Sequence, residues 1–334
     1  MQLGRLKRRQ FISLLAATGI AATMPLTTNA AEQKIWRVGL LSNSPPPSGV
    51  AATRWRDEIM QVLVQNGFVA GRNLEMVERY SEGDADRLPL LAREIYALEV
   101  DAIVAISTPS VRAALAATRS TPVVMVVGED PVKTGIVAKL AHPGGRVTGI
   151  AFRTSEGDVK RLELVRQAIP GGRRFGYLGM SYESGPKTKE IAEAAARLGI
   201  DVTTYWVNGP SEYGAAFARM RKEGIAGVVV GATQPLAANA SHVAASAAEN
   251  RLPTICEWDY MARVGCVLGF GHDLTYGQRR IGEYVARILK GTAPSALPVE
   301  ESDAWKLTVN LRVAAQLGIT LSPSILARAD EVIE

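Results

Sequence analysis

Short apolar, β-branched runs alternate with amphipathic stretches along most of this 334-residue chain. That alternation restricts the fold more than any other feature of the sequence. Residues 37–41, 73–78, 101–106 and 123–127 read as strands, and three of the four are apolar enough to be buried on both faces. Residues 51–65, 86–98 and 110–118 lie between them with apolar positions at helical spacing, and Asn66-Gly67 supplies a helix stop. After a strand at 147–152 the pattern begins again, with helices at 157–168, 187–198, 213–223 and 236–250 and strands at 174–178, 202–207, 227–231, 254–257 and 266–270. Each sheet built this way is buried between helix layers, so the expected fold is α/β, with two doubly wound parallel-sheet lobes.

The remainder is less regular. Residues 274–289 read as a helix stopping at Lys290-Gly291, 297–301 and 306–310 as extended, and 313–317 as a short helix closed by Gly318. With no sheet of its own, this tail must complete the two lobes. Crossings are therefore expected near 150–154, 271–273 and 301–303, which assigns 31–150 plus about 274–300 to lobe 1 and 151–273 plus about 303–334 to lobe 2. Several connections between two lobes form a hinge, with a ligand cleft between them.

Residues 1–30 read as an export signal. Residues 1–9 are basic, 11–22 are apolar, and Thr28-Asn29-Ala30 ends in the small residues that precede cleavage. Arg8-Arg9-Gln10-Phe11-Ile12 matches the twin-arginine pattern, with an ordinary secretory signal as the alternative. The expected location is the periplasm, with cleavage near Ala30. The whole chain carries 38 basic and 33 acidic residues, but Arg5, Lys7, Arg8 and Arg9 fall within the signal. The rest is nearly neutral and has no global field to gather nucleic acid or an anionic membrane surface.

Enzyme and cofactor signatures are missing. There is no P-loop pattern, Gly269-Phe270-Gly271 has Leu274 where a dinucleotide fingerprint needs its third glycine, and Gly179-Met180-Ser181 is followed by Tyr182-Glu183 rather than completing a nucleophile elbow. His142, His242 and His272 are far apart, so no metal site is expected, and no cofactor. The only two cysteines, Cys256 and Cys266, read as small buried apolar side chains, although an oxidising compartment would permit a bridge.

Open α/β sheets bind ligands at the carboxyl ends of their strands. In the first half those loops hold Ser42-Asn43-Ser44, Ser107-Thr108-Pro109-Ser110 and Gly128-Glu129-Asp130-Pro131. Ser107 and Thr108 begin a helix, where free N–H groups and the helix dipole suit a carboxylate, a plain N-cap being the other reading. Asp130 with Pro131 reads as a complete helix start, leaving Glu129 to face the cleft. In the second half the loops hold Ser181-Tyr182-Glu183, Ala232-Thr233, Glu257-Trp258-Asp259 and His272-Asp273. Tyr182 and Trp258 suit stacking on a flat ligand, and Asp273 is either a helix cap or an acceptor for an ammonium group.

Ordered segments then carry a resemblance. Residues 66–74 (Asn-Gly-Phe-Val-Ala-Gly-Arg-Asn-Leu), Asp130-Pro131-Val132, 143–149, Lys160-Arg161-Leu162-Glu163-Leu164, 284–291 and 327–334 resemble the recurring segments of the ABC transporter substrate-binding family that includes tryptophan- and tyrosine-type binding proteins. The stretch 265–272 departs from it, reading Gly-Cys-Val-Leu-Gly-Phe-Gly-His where the family shows small residues ending near a tyrosine and an acid. The resemblance implies a type I periplasmic binding-protein fold with a three-segment hinge. It further implies a cleft lined by Ser44, Thr108 and Glu129 from one lobe and Tyr182, Thr233, Trp258 and Asp273 from the other. Ser107 joins them through its place at the helix start.

The function expected is that of a monomeric, non-enzymatic receptor that traps a small carboxylate or amino-acid-like ligand and delivers it to an ABC permease in the inner membrane. The alternative is a secreted enzyme with Glu257 or Glu129 as general base. Replacing both Arg8 and Arg9 with Lys should strand the precursor in the cytoplasm, read by fractionation; unchanged export would assign the signal to the general secretory route.

Overall fold

In the computed structural model, which describes residues 34–46, 50–152 and 154–334, the alternation resolves into two sheets. The segment read as an export signal lies outside the described residues. The first succession is β1 (Trp36–Ser42), α1 (Val50–Gln65), β2 (Leu74–Tyr80), α2 (Leu88–Ala97), β3 (Ala102–Ile106), α3 (Thr108–Ala117), β4 (Val123–Val127) and β5 (Val147–Phe152). The second runs α4 (Thr154–Ala168), β6 (Arg174–Met180), α5 (Ser184–Leu198), β7 (Asp201–Val207), α6 (Tyr213–Lys222), β8 (Gly227–Val230), α7 (Gln234–Ala238), α8 (Ala240–Glu249), β9 (Thr254–Cys256), α9 (Asp259–Val264) and β10 (Leu268–His272). The chain ends with α10 (Leu274–Leu289), β11 (Val299–Ser302), β12 (Trp305–Asn310), α11 (Leu311–Gln316), α12 (Pro323–Leu326) and β13 (Glu331–Ile333).

The first sheet has the order β11-β5-β4-β3-β1-β2, and the second β13-β12-β10-β9-β8-β6-β7. All pairings are parallel except β10 with β12, because β12 enters the second sheet directly from β11 without a helical crossover. The chain passes between the sheets after β5, after β10 and between β11 and β12. Helix α10 belongs to the first lobe: Ile281, Tyr284 and Val285 pack in one core with Val38, Leu40 and Ile59.

Central strands are apolar because helices cover both of their faces; β4, for example, reads Val-Val-Met-Val-Val and is buried almost throughout. Gly149 in β5 shows how closely the backbones approach. Its φ is +138, and a Cβ there would stand 2.1 Å from the Met125 carbonyl oxygen.

Several local expectations fail for identifiable reasons. Asp130 does cap the following N–H groups, with Oδ1 2.9 Å from the Val132 nitrogen, but the turn goes no further. Gly135, at φ +72, takes the chain left-handed before a helix can propagate. The helix expected over 236–250 is two helices, broken at Asn239. Helix α9 and the three-residue β13 were not expected at all. Cys256 and Cys266 are joined in a disulfide, with Cα atoms 6.2 Å apart, which corrects the reading of two free buried thiols. The bridge ties the end of β9 to the residue beyond α9, closing a short loop around that helix.

Gly149→Ala combines a left-handed φ with contact against a strand backbone that has no room to shift. It should cost about 3 kcal/mol, seen as a lower urea midpoint at unchanged slope.

Candidate functional site

The carboxyl ends of the two sheets border a cavity of about 410 Å³. The first lobe contributes Ser42 and Ser44 from the end of β1, Tyr80 from β2, Ile106 and Ser107 from β3, and Val127 from β4. The second contributes Thr233, Gln234, Glu257, Trp258, Tyr260 and Arg263, and Phe152, Leu274 and Gln278 sit at the crossings. Much of the wall is therefore aromatic or aliphatic, with a few polar groups set into it, which is the usual make-up of a small-molecule site.

Local chain chemistry places these groups. The Ser42 hydroxyl accepts from the Ser44 nitrogen at 3.1 Å and tightens the loop after β1. Ser107 caps α3, its Oγ 3.4 Å from the Ser110 nitrogen, and holds φ at +90, which is uncommon for a residue with a side chain. Gly271 in β10 gives Glu257 its room, since a Cβ there would meet the Glu257 carbonyl oxygen at 2.2 Å and its Cγ at 3.0 Å. Gln278, buried one turn into α10, has a side-chain oxygen with no partner among the described residues.

Of the residues expected at the cleft, Ser44, Ser107, Thr233 and Trp258 meet at this cavity. The other four do not line it. The Thr108 hydroxyl donates to the Glu129 carboxylate, and Glu129 is exposed. Tyr182 is 69% exposed. Asp273 caps α10, accepting from the Thr275 and Tyr276 nitrogens at 2.9 and 3.3 Å, so the capping alternative describes it. Conversely, Tyr260, Arg263 and Gln278 escaped notice. A buried glutamine on the inward stripe of α10 was the one available signal, and the other two ride on a helix too short to show periodicity.

Charge is concentrated on the second-lobe side. Asp158 and Arg161 of α4, both fully buried, are paired at 2.6 Å. Arg161 also donates to the Phe270 carbonyl at 2.8 Å, while Asp158 takes Lys187 at 3.0 Å and the Tyr177 hydroxyl at 3.2 Å. Lys187 in turn reaches Glu190 at 3.1 Å. Two cations thus already face two carboxylates. Glu257 is the third acid near this group, and burial pushes its carboxyl up to about 8, with Asp158 and Glu183 adding to the rise against the pull of Arg161 and Lys187. Glu183 is raised for the same leading reason, to about 7. Asp259 and Arg263 are engaged elsewhere: Lys306 lies 3.2 Å and Arg263 3.5 Å from Asp259, and Arg263 lies 2.5 Å from Glu331.

Among the described residues no group of three or more His, Cys, Asp or Glu is arranged to hold a metal ion, and no helix is long and apolar enough to cross a membrane. Two doubly wound lobes joined by three segments, with a cavity at facing strand ends, define a type I periplasmic binding protein. Residues 48–333 match the family model described as ABC transporter substrate binding protein, and the chain belongs to that family. It is 26% identical over 254 residues to a protein named tyrosine-binding protein from Clostridioides difficile strain R20291, covering 75% of this chain and 72% of that one. It is also similar to a solved structure from Streptococcus pneumonia in complex with L-Trp, with 25% identity, a TM-score of 0.77, and coverage of 90% of this chain and 100% of that one. A ligand-free, open substrate-binding protein with adhesive properties from Clostridium difficile matches at 25% identity and a TM-score of 0.64, covering 90% and 99%.

The raised Glu257 carboxyl has a consequence for stability. Between its ordinary value and about 8 the folded chain holds a proton that the unfolded chain has lost, so stability falls as pH rises across that window. Glu257→Gln removes this loss. Its melting temperature should gain on the wild type between about pH 5 and about pH 8, as followed by circular dichroism.

Proposed function

We propose that this chain captures an aromatic amino acid or a closely related zwitterion in the cavity between its lobes and presents it to an ABC permease in the inner membrane. The observation that carries this reading is the composition of the cavity wall. Tyr80, Phe152, Trp258 and Tyr260 offer aromatic surface, while Ser107 brings the start of the ten-residue helix α3 to the same space. Ring surface suits an aromatic side chain, and the positive end of the α3 dipole suits a carboxylate. A relative named for tyrosine and a similar structure holding L-Trp support the same ligand class. The protein acts by binding rather than catalysis, as a monomer, after export to the periplasm and removal of the signal near Ala30. Tyr182 at the exposed rim would come over the ligand on closure.

Calorimetry against tyrosine, tryptophan, phenylalanine, a neutral sugar and a polyamine tests this. Binding should be confined to the aromatic amino acids, with compaction in solution scattering and recovery of the ligand unchanged. A sugar or polyamine as the sole ligand would overturn the ligand class, and conversion of the ligand would overturn the binding role. Trp258→Ala should weaken the aromatic ligand by about 2 kcal/mol, roughly thirtyfold in Kd.

A further inference from the structure

We propose that Glu257 is the residue that recognises a protonated amine on the ligand, and that capture is coupled to the release of a proton from this carboxyl. The assignment rests on the amino-acid reading above and adds to it which end of the ligand the second lobe holds and what accompanies binding.

Position is the first argument. Glu257 lies at the carboxyl end of β9, is only 5% exposed, and lines the cavity. No described residue donates a hydrogen bond to its carboxyl, whereas Asp259, the other acid on the wall, is held by Lys306 and Arg263. Glu129, expected to face the cleft, and Asp273, expected as a helix cap or an acceptor for an ammonium group, are occupied by Thr108 and by the start of α10. Glu257 is thus the wall acid with acceptor capacity to spare.

Charge balance is the second argument. The groups around Glu257 are Asp158 and Arg161 from α4, Tyr177 from β6, Glu183 from the turn after it, Lys187 and Glu190 from α5, and Asp259 and Tyr260 from α9. Arg161 and Lys187 are matched by Asp158 and Glu190, Arg263 and Lys306 by Asp259 and Glu331, and burial favours the uncharged form of Glu183 and Glu257. Ionising Glu257 would leave one excess negative charge at a buried position, which is costly unless a cation comes with it. A ligand ammonium is such a cation. Its arrival favours the charged carboxyl, and the proton leaves to solvent.

Calorimetry with L-tyrosine, tyramine, which lacks the carboxylate, and 3-(4-hydroxyphenyl)propionate, which lacks the amine, decides the matter in buffers of different ionisation enthalpy. Near pH 6 the wild type should release about one proton per L-tyrosine, with Kd falling by up to about tenfold per pH unit as pH approaches 8. Tyramine should release a proton as well, while the des-amino analogue should release none and bind at least tenfold more weakly than tyrosine. Glu257→Gln should bind L-tyrosine at least tenfold more weakly, release no proton, and hold the des-amino analogue within about twofold of wild type. Equal wild-type affinity for tyrosine and its des-amino analogue, or capture of tyrosine without proton release, would overturn the assignment while leaving the aromatic-carboxylate reading standing. Failure of all three probes to bind would remove both.

Discussion

The buried pair between Asp158 and Arg161 is the contact on which most of this architecture depends. Removing both ions from water costs several kcal/mol each, and the offset comes from saturating them: Arg161 donates to the Phe270 carbonyl, and Asp158 receives Tyr177 and Lys187. The geometry matters as much as the energy. Asp158 and Arg161 ride on the helix that follows the first crossing, and Phe270 lies in the strand that precedes the second. One guanidinium therefore fastens two of the three hinge segments to each other. The same ions set the electrostatic background of the cavity floor where Glu257 stands.

Aromatic packing continues that fastening. Phe270 stacks on Trp305 with centroids 5.2 Å apart and planes 6° from parallel, His272 lies 4.0 Å from the Trp305 ring, and Phe152 meets His272 at 5.3 Å. Phe152 ends β5, His272 ends β10 and Trp305 begins β12, so the three crossings share one ring cluster. Any relative motion of the lobes on the proposed binding role would pivot on the short segments beside that cluster. Gln278, just beyond the second crossing, is carried by the first lobe while it faces the shared cavity.

How much of this was legible in the sequence follows from where each signal resides. Central strands such as β4 announce themselves because helices bury both faces and leave an unbroken apolar run. Helix α9 and strand β13 are too short for any period to emerge. Arg161 is the instructive case. An arginine on an otherwise ordinary helical stretch reads as solvent-facing, and only Asp158 one turn earlier and a carbonyl 109 positions later in the chain make it a core residue. Thr108 and Glu129 meet each other across two neighbouring strand ends, a contact that sheet order reveals and linear order does not. Ser44, Ser107, Thr233 and Trp258 were legible because strand-end placement alone brings them to the cavity. The disulfide is a similar case: each cysteine sits in an apolar run, and pairing becomes visible only when β9 and the residue beyond α9 are seen to face each other.

The division of chemistry between the lobes gives the cavity its discriminating logic. The first lobe presents neutral hydroxyls and a helix start, with Ser42, Ser44 and Ser107 around it, while the second presents Glu257 against a field of compensated ions. On the proposed amino-acid reading, neither set alone would recognise a whole zwitterion. A ligand anchored by one end on an open lobe meets the other lobe's groups at the high effective concentration that a tethered hinge enforces. A ligand lacking either charged end forfeits that second contact, and the empty acceptor or donor left behind on closure carries its own desolvation penalty. On the proposed reading selectivity would therefore reside in closure, and two of the three segments that would allow it are held together by Arg161.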